Sequence, residues 1–310
     1  MQLDWSALRA IPAPVTRFAP SVTGYLHIGH VAHAIYVWGI ARALGARVIL
    51  RMEDHDLGRY RPDFEATILD DLDWLGLVPD MGHTDSFRTQ ARCAYRQSDR
   101  GSWYASCLAA LAGEGRVYAC GCSRKDLRAR TGEIEGEVRY DGYCRDRHIA
   151  PGPGRCVRVR LPEDSVCFND LRHGSLTQVP ANQCGDMVVR DRHGHWSYHF
   201  AVVADDMAQR VNLIVRGDDL IGSTGRQVLL GRALGRTTPL HFLHHPLITD
   251  GMGRKLSKRE ADAGVVIARR EGVAPEKVLG EAAYRVGLRD RPGHLSVSDL
   301  ADLVLEGNLA

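Results

Sequence analysis

Val15-Thr16-Arg17-Phe18-Ala19-Pro20-Ser21-Val22-Thr23-Gly24-Tyr25-Leu26-His27-Ile28-Gly29-His30 is the stretch on which the fold turns. Residues 15–19 lean apolar and stop at Pro20, and residues 21–24 then make a short polar turn, so the run predicts a strand followed by a loop. After Gly29, apolar residues recur at helical spacing through Val31, Ala34, Ile35, Trp38, Ala41 and Leu44, and Gly45 is a natural stop. His27 and His30 therefore fall at a helix N-terminus. Open N–H groups and the helix dipole favour an anion there, and Gly29 leaves room for a nucleotide close to the backbone. Imidazole N–H groups so placed can stabilise charge that develops on phosphate oxygens. The plainer alternative is that the two rings only cap the helix.

Working outward, residues 47–52 read as a second strand ending in Glu53-Asp54, and residues 64–77 have helical periodicity with Trp74 and Leu75 on the apolar face. From about residue 102 Gly, Arg and Cys become frequent, and Pro151-Gly152-Pro153-Gly154 marks a loop before strand-like runs at 156–161 and 187–190. Apolar strand signals return at 200–204 and 211–215. The pattern predicts an α/β chain with a doubly wound parallel sheet and an inserted module. Its divisions are expected at 1–101 for the first half of the sheet domain, 102–197 for the insert, 198–260 for the second half and 261–310 for a compact helical segment. Ligands of such sheets bind at the carboxyl ends of the strands, where Arg17, Glu53 and Arg216 fall.

With 310 residues, 44% of them hydrophobic, the chain can bury a sizeable core. No run is apolar enough to span a membrane and no secretory signal opens the chain, so a cytoplasmic location with no membrane partner is expected. A net charge of +2 neither implies nor excludes nucleic acid. Of the eight cysteines, Cys93, Cys107, Cys156, Cys167 and Cys184 are scattered singly, as buried reduced thiols are. Cys120 and Cys122 form a tight pair, with Cys144 in a polar, glycine-containing segment. Three thiolates favour zinc, which needs a fourth ligand; spacing nominates His148 or either nearby tyrosine.

A second segment completes the first. Lys255-Leu256-Ser257-Lys258-Arg259 follows a polar stretch with two glycines that reads as a mobile loop. Its ammonium groups suit a closing role over departing pyrophosphate. Together with His27-Ile28-Gly29-His30 it resembles the HIGH and KMSKS signatures of class I aminoacyl-tRNA synthetases. The resemblance implies ATP-dependent carboxylate activation with Mg²⁺, ATP bound by His27, Gly29, His30 and Lys258, and catalysis carried by His27, His30, Lys255 and Lys258.

Arg17 to Ser21, the strand end Arg51-Met52-Glu53-Asp54 and Arg216-Gly217-Asp218-Asp219-Leu220 are similar to the glutamate-specific branch of that class. The similarity runs over nearly the whole chain and implies that Arg17, Ser21, Glu53, Tyr198 and Arg216 surround L-glutamate. Arginine grips a carboxylate with two parallel donors, and Glu53 can receive the substrate ammonium. Three features resemble the shortened members of the branch, the glutamyl-queuosine tRNA(Asp) synthetases. The chain ends about fifty residues after the Lys255 motif, where full synthetases carry an anticodon-binding region. Cys120, Cys122 and Cys144 are joined in that family by a tyrosine ligand, here Tyr140, around one structural Zn²⁺. Val202 stands where ordinary glutamyl synthetases carry asparagine. The implied partner is tRNA(Asp) containing queuosine, with a monomer as the expected state. A compact glutamyl-tRNA synthetase charging tRNA(Glu) is the alternative, and a noncatalytic tRNA-binding paralogue ranks lower.

Overall fold

The computed structural model describes residues 3–55, 58–132, 137–248 and 264–306. Lys255 and Lys258 lie outside the described residues. After α1 (Trp5–Arg9), β1 (Val15–Phe18) is buried at every position, as a central parallel strand is when helices cover both faces of its sheet. α2 (Ile28–Leu44) ends on Gly45 in the left-handed conformation at φ 64°. β2 (Arg47–Leu50) then runs parallel to β1, with Val15 opposite Arg47 and Phe18 opposite Leu50. The helix expected at 64–77 is α3 (Pro62–Leu75), opened by a proline that needs no N–H there and closed by Gly76.

α4 (Thr84–Thr89) and α5 (Gly101–Gly113) lead into β3 (Val117–Cys120), α6 (Arg124–Thr131) and β4 (Cys156–Val159). A hairpin of β5 (Val166–Asp170) and β6 (Gly174–Gln178) follows, then α7 (Pro180–Gln183) and β7 (Met187–Arg190). The chain continues through α8 (Tyr198–Ala208), β8 (Leu213–Gly217), α9 (Thr224–Ala233) and β9 (His241–His245). β3, β4 and β7 make a small antiparallel sheet. The β5–β6 hairpin does not join it. β5 instead lies parallel to β9 through Asp170 opposite Phe242, giving the order β6-β5-β9-β8 in a second sheet.

The expected strand at 200–204 is helical. Ser197 caps α8, its hydroxyl accepting the Phe200 N–H, and residues from Phe200 to Asp206 are all buried. A helix enclosed on every side shows the same unbroken apolar run as a buried strand, and Val202 and Val203 added to the likeness.

β1 steps outward to β2, and β8 steps outward to β9 on the other side. Asn212 ties the two pairs together, donating its backbone N–H to Val15 O at 3.1 Å and accepting the Val15 N–H on its side chain at 2.8 Å. The strand order reverses between β1 and β8, which is where an open α/β sheet leaves a crevice at its carboxyl ends.

α10 (Val265–Arg270), α11 (Pro275–Arg285) and α12 (Leu300–Glu306) complete the described chain. Residues of α11 and α12 share a core with α2. α12 presses closely on Gly39, where an added Cβ would stand 2.8 Å from Leu300 O and 2.7 Å from Val304 Cγ1. Gly39→Val should therefore cost about 1–3 kcal/mol of unfolding free energy by overpacking. Denaturant titration reads this, and an unchanged midpoint would contradict the close approach. Among the described residues no helix is long and apolar enough to cross a membrane.

Candidate active site

The crevice between β1 and β8 is floored by buried charge. Arg51, fully buried, donates to Asp206 at 2.7 Å and to Glu53 at 3.2 Å, with Asp205 at 3.9 Å. Arg17 reaches the same Asp206 oxygen at 3.3 Å and donates to Val215 O at 3.1 Å, so it spans the gap between the strands. Burial opposes ionisation of Asp206, but Arg51 and Arg17 outweigh it and hold the carboxyl below its usual range. Glu53 has the reverse balance: burial wins over Arg51, His55 and Arg17 and raises it. A second cation near Glu53, such as a substrate ammonium, would restore its charge.

Arg216 differs from these. It is buried, yet among the described residues its guanidinium meets only neutral acceptors: His244 Nε2 at 2.9 Å, Gln227 Oε1 at 2.6 Å and Thr224 Oγ1 at 2.7 Å. Burial pulls it down to about 10. A buried cation with no anion is costly unless a ligand brings one. Tyr198, at the start of α8, lies within electrostatic reach of Glu53, Arg216 and Arg17, and burial first, then Glu53, raises its phenol. Ser21 pairs through its backbone with Glu53, while its hydroxyl lies 3.2 Å from that of Thr23. The structure thus gathers Arg17, Glu53, Tyr198 and Arg216 at one crevice, with Ser21 on its rim.

His27 caps α2. Its Nδ1 accepts the Gly29 N–H at 3.1 Å, and its own N–H donates to His30 Nδ1 at 3.1 Å. With both Nδ1 atoms used as acceptors, the proton of each neutral ring sits on Nε2. The space over Gly29 is taken by the His27 ring, whose Cε1 would be 2.9 Å from an added Cβ. One turn on, His33 stacks on Phe18 and lies 2.9 Å from His245 Nε2, linking α2 to the end of β9. His245 Nδ1 donates to Pro246 O, and burial lowers the ring to about 4, so it is a neutral acceptor for His33.

A separate cluster lies in the small sheet. The sulfurs of Cys120, Cys122 and Cys144 all lie within 4.8 Å of one another, with Cys122 and Cys144 at 3.5 Å. The buried Tyr140 hydroxyl stands 3.6 Å from Cys120 Sγ and accepts the Cys144 N–H at 2.7 Å. His148 is exposed and is not part of the group. Cys156 faces Cys120 across the β3–β4 ladder, so it is not isolated as its sequence position suggests. Cys167 is exposed, not buried, because it falls on the outward side of β5, an alternation that spacing alone does not phase.

Beside this cluster opens a cavity of about 880 Å³ whose wall carries Arg124, Lys125, Arg128, Arg158, Arg192 and Arg226 against the acidic Glu137, Asp186 and Asp191, with Arg226 paired to Glu137. The near-neutral total charge conceals this local concentration. Sequence reasoning also missed Asp206, Asp170, His244, Thr224 and Gln227, and quoted Arg51 in the strand-end motif without giving it a role. The available signal was charged or imidazole residues inside apolar runs, as in His241-Phe242-Leu243-His244-His245.

Residues 14–293 match the family of tRNA synthetases class I (E and Q), catalytic domain. The chain is 39% identical over 291 residues to a glutamyl-Q tRNA(Asp) synthetase of Symbiobacterium thermophilum, covering 89% of this chain and 87% of that one. It is 37% identical to a glutamate–tRNA ligase of Syntrophobacter fumaroxidans, covering 86% of this chain but 55% of the ligase. Among solved structures, a glutamate tRNA ligase from Elizabethkingia meningosepticum in complex with its amino acid superposes with a TM-score of 0.77 at 28% identity. That match covers 96% of this chain and 66% of the ligase.

Proposed function

Because the chain belongs to the class I tRNA synthetases (E and Q) by its catalytic domain, we propose that it activates L-glutamate with ATP and transfers it to queuosine in the anticodon loop of tRNA(Asp). The observation that carries the amino-acid part is Arg216, a buried guanidinium held by neutral acceptors. Arg17 is already compensated by Asp206, so Arg216 is the cation that receives the side-chain carboxylate, with Glu53 and Tyr198 at the ammonium end. The match over most of the length of a glutamyl-Q tRNA(Asp) synthetase supports the acceptor.

In the first step an α-carboxylate oxygen of glutamate bonds to the α-phosphorus of ATP, and the bond to pyrophosphate breaks. The imidazoles of His27 and His30 and the N-terminus of α2 offset the growing negative charge, and Gly29, expected to admit the nucleotide, instead makes room for the His27 ring at the helix end. Lys255 and Lys258 are assigned the pyrophosphate on sequence grounds alone. Mg²⁺ accompanies ATP and shields its phosphates. In the second step a hydroxyl of the queuosine cyclopentenediol attacks the mixed anhydride, AMP leaves and the hydroxyl proton is released. Residues 1–101 and 198–260 form the two catalytic halves in this reading, 102–197 an acceptor-binding module that includes the basic cavity but whose β5–β6 hairpin joins the sheet of the second half, and 261–310 a stem-contacting helical segment. The protein acts as a cytoplasmic monomer. Side-by-side charging of tRNA(Asp), with and without queuosine, and tRNA(Glu) tests this function against the compact glutamyl-tRNA synthetase alternative.

The cysteine cluster fits one structural zinc. Sulfurs of a tetrahedral site with 2.3 Å bonds stand about 3.8 Å apart, close to the 3.5 Å between Cys122 and Cys144 and the 3.6 Å from Cys120 to the Tyr140 oxygen. Cys120, Cys122, Cys144 and Tyr140 would hold it, and the metal would tie β3 to the loop at 140–144. Elemental analysis should find about one zinc per chain, lost in Cys144→Ser and kept in Cys107→Ser, whose thiol lies in another core. Tyr140→Phe should weaken retention against a chelator; unchanged retention would remove Tyr140 from the site.

A further inference from the structure

We propose that Asp170 and His244 form a positioning pair that presents Arg216 with its charge uncompensated, and so set the preference for an acidic over an amide side chain. This rests on the reading of Arg216 as the contact to the substrate side chain.

A buried arginine Nε–H must find an acceptor, and a carboxylate is the strongest choice. A carboxylate there would also neutralise the guanidinium and repel a second carboxylate arriving as substrate. The structure supplies an imidazole instead. His244, fully buried at the end of β9, gives its Nε2 lone pair to Arg216 Nε at 2.9 Å. That lone pair exists only if the ring proton sits on Nδ1, and Asp170 Oδ2 accepts from Nδ1 at 2.7 Å. Asp170 is fixed in turn: Oδ2 also accepts the His244 N–H, and Oδ1 accepts the N–H groups of Arg172 and His173. Its negative charge is therefore solvated by backbone donors and stands one ring away from the guanidinium. This explains why β5 from the insert stretch lies against β9: it delivers Asp170.

The other side of Arg216 repeats the design. Gln227 Oε1 accepts from Nη1, and the Gln227 amide N–H₂ is oriented by His199 Nδ1 at 3.1 Å. Thr224 offers its hydroxyl oxygen to Nη2. Each acceptor is neutral, and each is held by a further group, Thr224 through its hydroxyl near Leu220 O at 3.5 Å and His244 Nε2 at 3.3 Å. A purely structural network would gain nothing from avoiding carboxylates, which the crevice uses freely at Arg17 and Arg51.

The test is ATP–pyrophosphate exchange by the full chain, with queuosine-containing tRNA(Asp) present, using glutamate and glutamine as substrates. His244→Gln keeps a neutral acceptor and should hold KM for glutamate within about threefold, whereas His244→Glu should raise it about thirtyfold or more and narrow the glutamate over glutamine preference, with kcat changed less. Asp170→Asn, which can turn an N–H toward Nδ1 and move the ring proton to face Arg216, should raise KM for glutamate about tenfold. A folded His244→Glu with the parent preference overturns the proposal. If that variant does not fold, Asp170→Asn carries the test, and an unchanged glutamate KM overturns it equally. If Arg216→Gln itself leaves glutamate KM and preference unchanged, the failure belongs to the reading of Arg216.

Discussion

Arg216→Gln should lower kcat/KM for glutamate about 10²–10³-fold, because truncating one partner of a buried charge pair leaves the other unpaired at a cost of about 2–5 kcal/mol, while KM for ATP stays within a few-fold. Glutamine cannot supply the charge or the pair of parallel donors that a carboxylate requires. Arg216→Lys should also fail, because an ammonium has three donors on a single nitrogen and cannot bond His244, Gln227 and Thr224 while leaving a pair for a carboxylate, as the five-donor guanidinium fork does. The contribution of the charge to stability has the opposite sign. Burial depresses Arg216 to about 10, so the folded state disfavours its charged form and gives up stability at neutral pH. Against this stands the loss of the hydrogen bonds to His244, Gln227 and Thr224, so Arg216→Gln should melt close to the parent protein. Arg17→Gln offers the contrast: it leaves Asp206 with less compensation in a buried place and should lower the melting temperature. Activity loss without stability loss at Arg216 separates a binding role from a structural one. Exchange activity within threefold of the parent in Arg216→Gln would refute the role.

Elements that local chemistry determines were legible in the sequence. The strand at 15–18, the His27 cap, the run of α2 and the stop at Gly45 follow from periodicity and capping within thirty residues. The three cysteines were legible from spacing, Cys120 and Cys122 sitting at one strand end with Cys144 in a polar, glycine-containing segment, whereas spacing left His148 or a tyrosine open and the resemblance alone named Tyr140. What failed was whatever depends on distant pairing. Cys156 reaches Cys120 only through the β3–β4 register. Asp170 and His244 are 74 positions apart and meet because β5 leaves its own neighbourhood to pair with β9. α8 was misread because a helix buried all round loses the polar face that gives it a period. The residues proposed to surround glutamate were named by resemblance, whereas most of the groups that hold them were not, since supporting residues carry no motif of their own.

The acceptor divides the two functional readings most sharply. Charging with radiolabelled glutamate should label tRNA(Asp) that contains queuosine and leave tRNA(Asp) without it at background, because the unmodified guanine lacks the cyclopentenediol hydroxyls that accept the acyl group. Ribonuclease fragments should carry the label in the anticodon loop, and removing the 3′-terminal adenosine should not abolish labelling. On the proposed function the excess of arginine and lysine over Glu137, Asp186 and Asp191 on the cavity wall near Cys122 would meet the tRNA phosphates, a polyanion that clustered cations bind even when the whole chain is nearly neutral. Raising salt from about 50 to 200 mM should accordingly weaken tRNA binding by an order of magnitude or more, without altering glutamate-dependent exchange to the same degree. Arg124→Ala with Arg192→Ala, both on the cavity wall and away from Arg216, should reproduce the salt effect on transfer and spare activation. Label on the terminal adenosine of tRNA(Glu), with queuosine-containing tRNA(Asp) at background, would establish the compact glutamyl-tRNA synthetase instead. The Arg216 crevice serves both readings, because the amino acid is the same in each. Only the second half of the reaction distinguishes them.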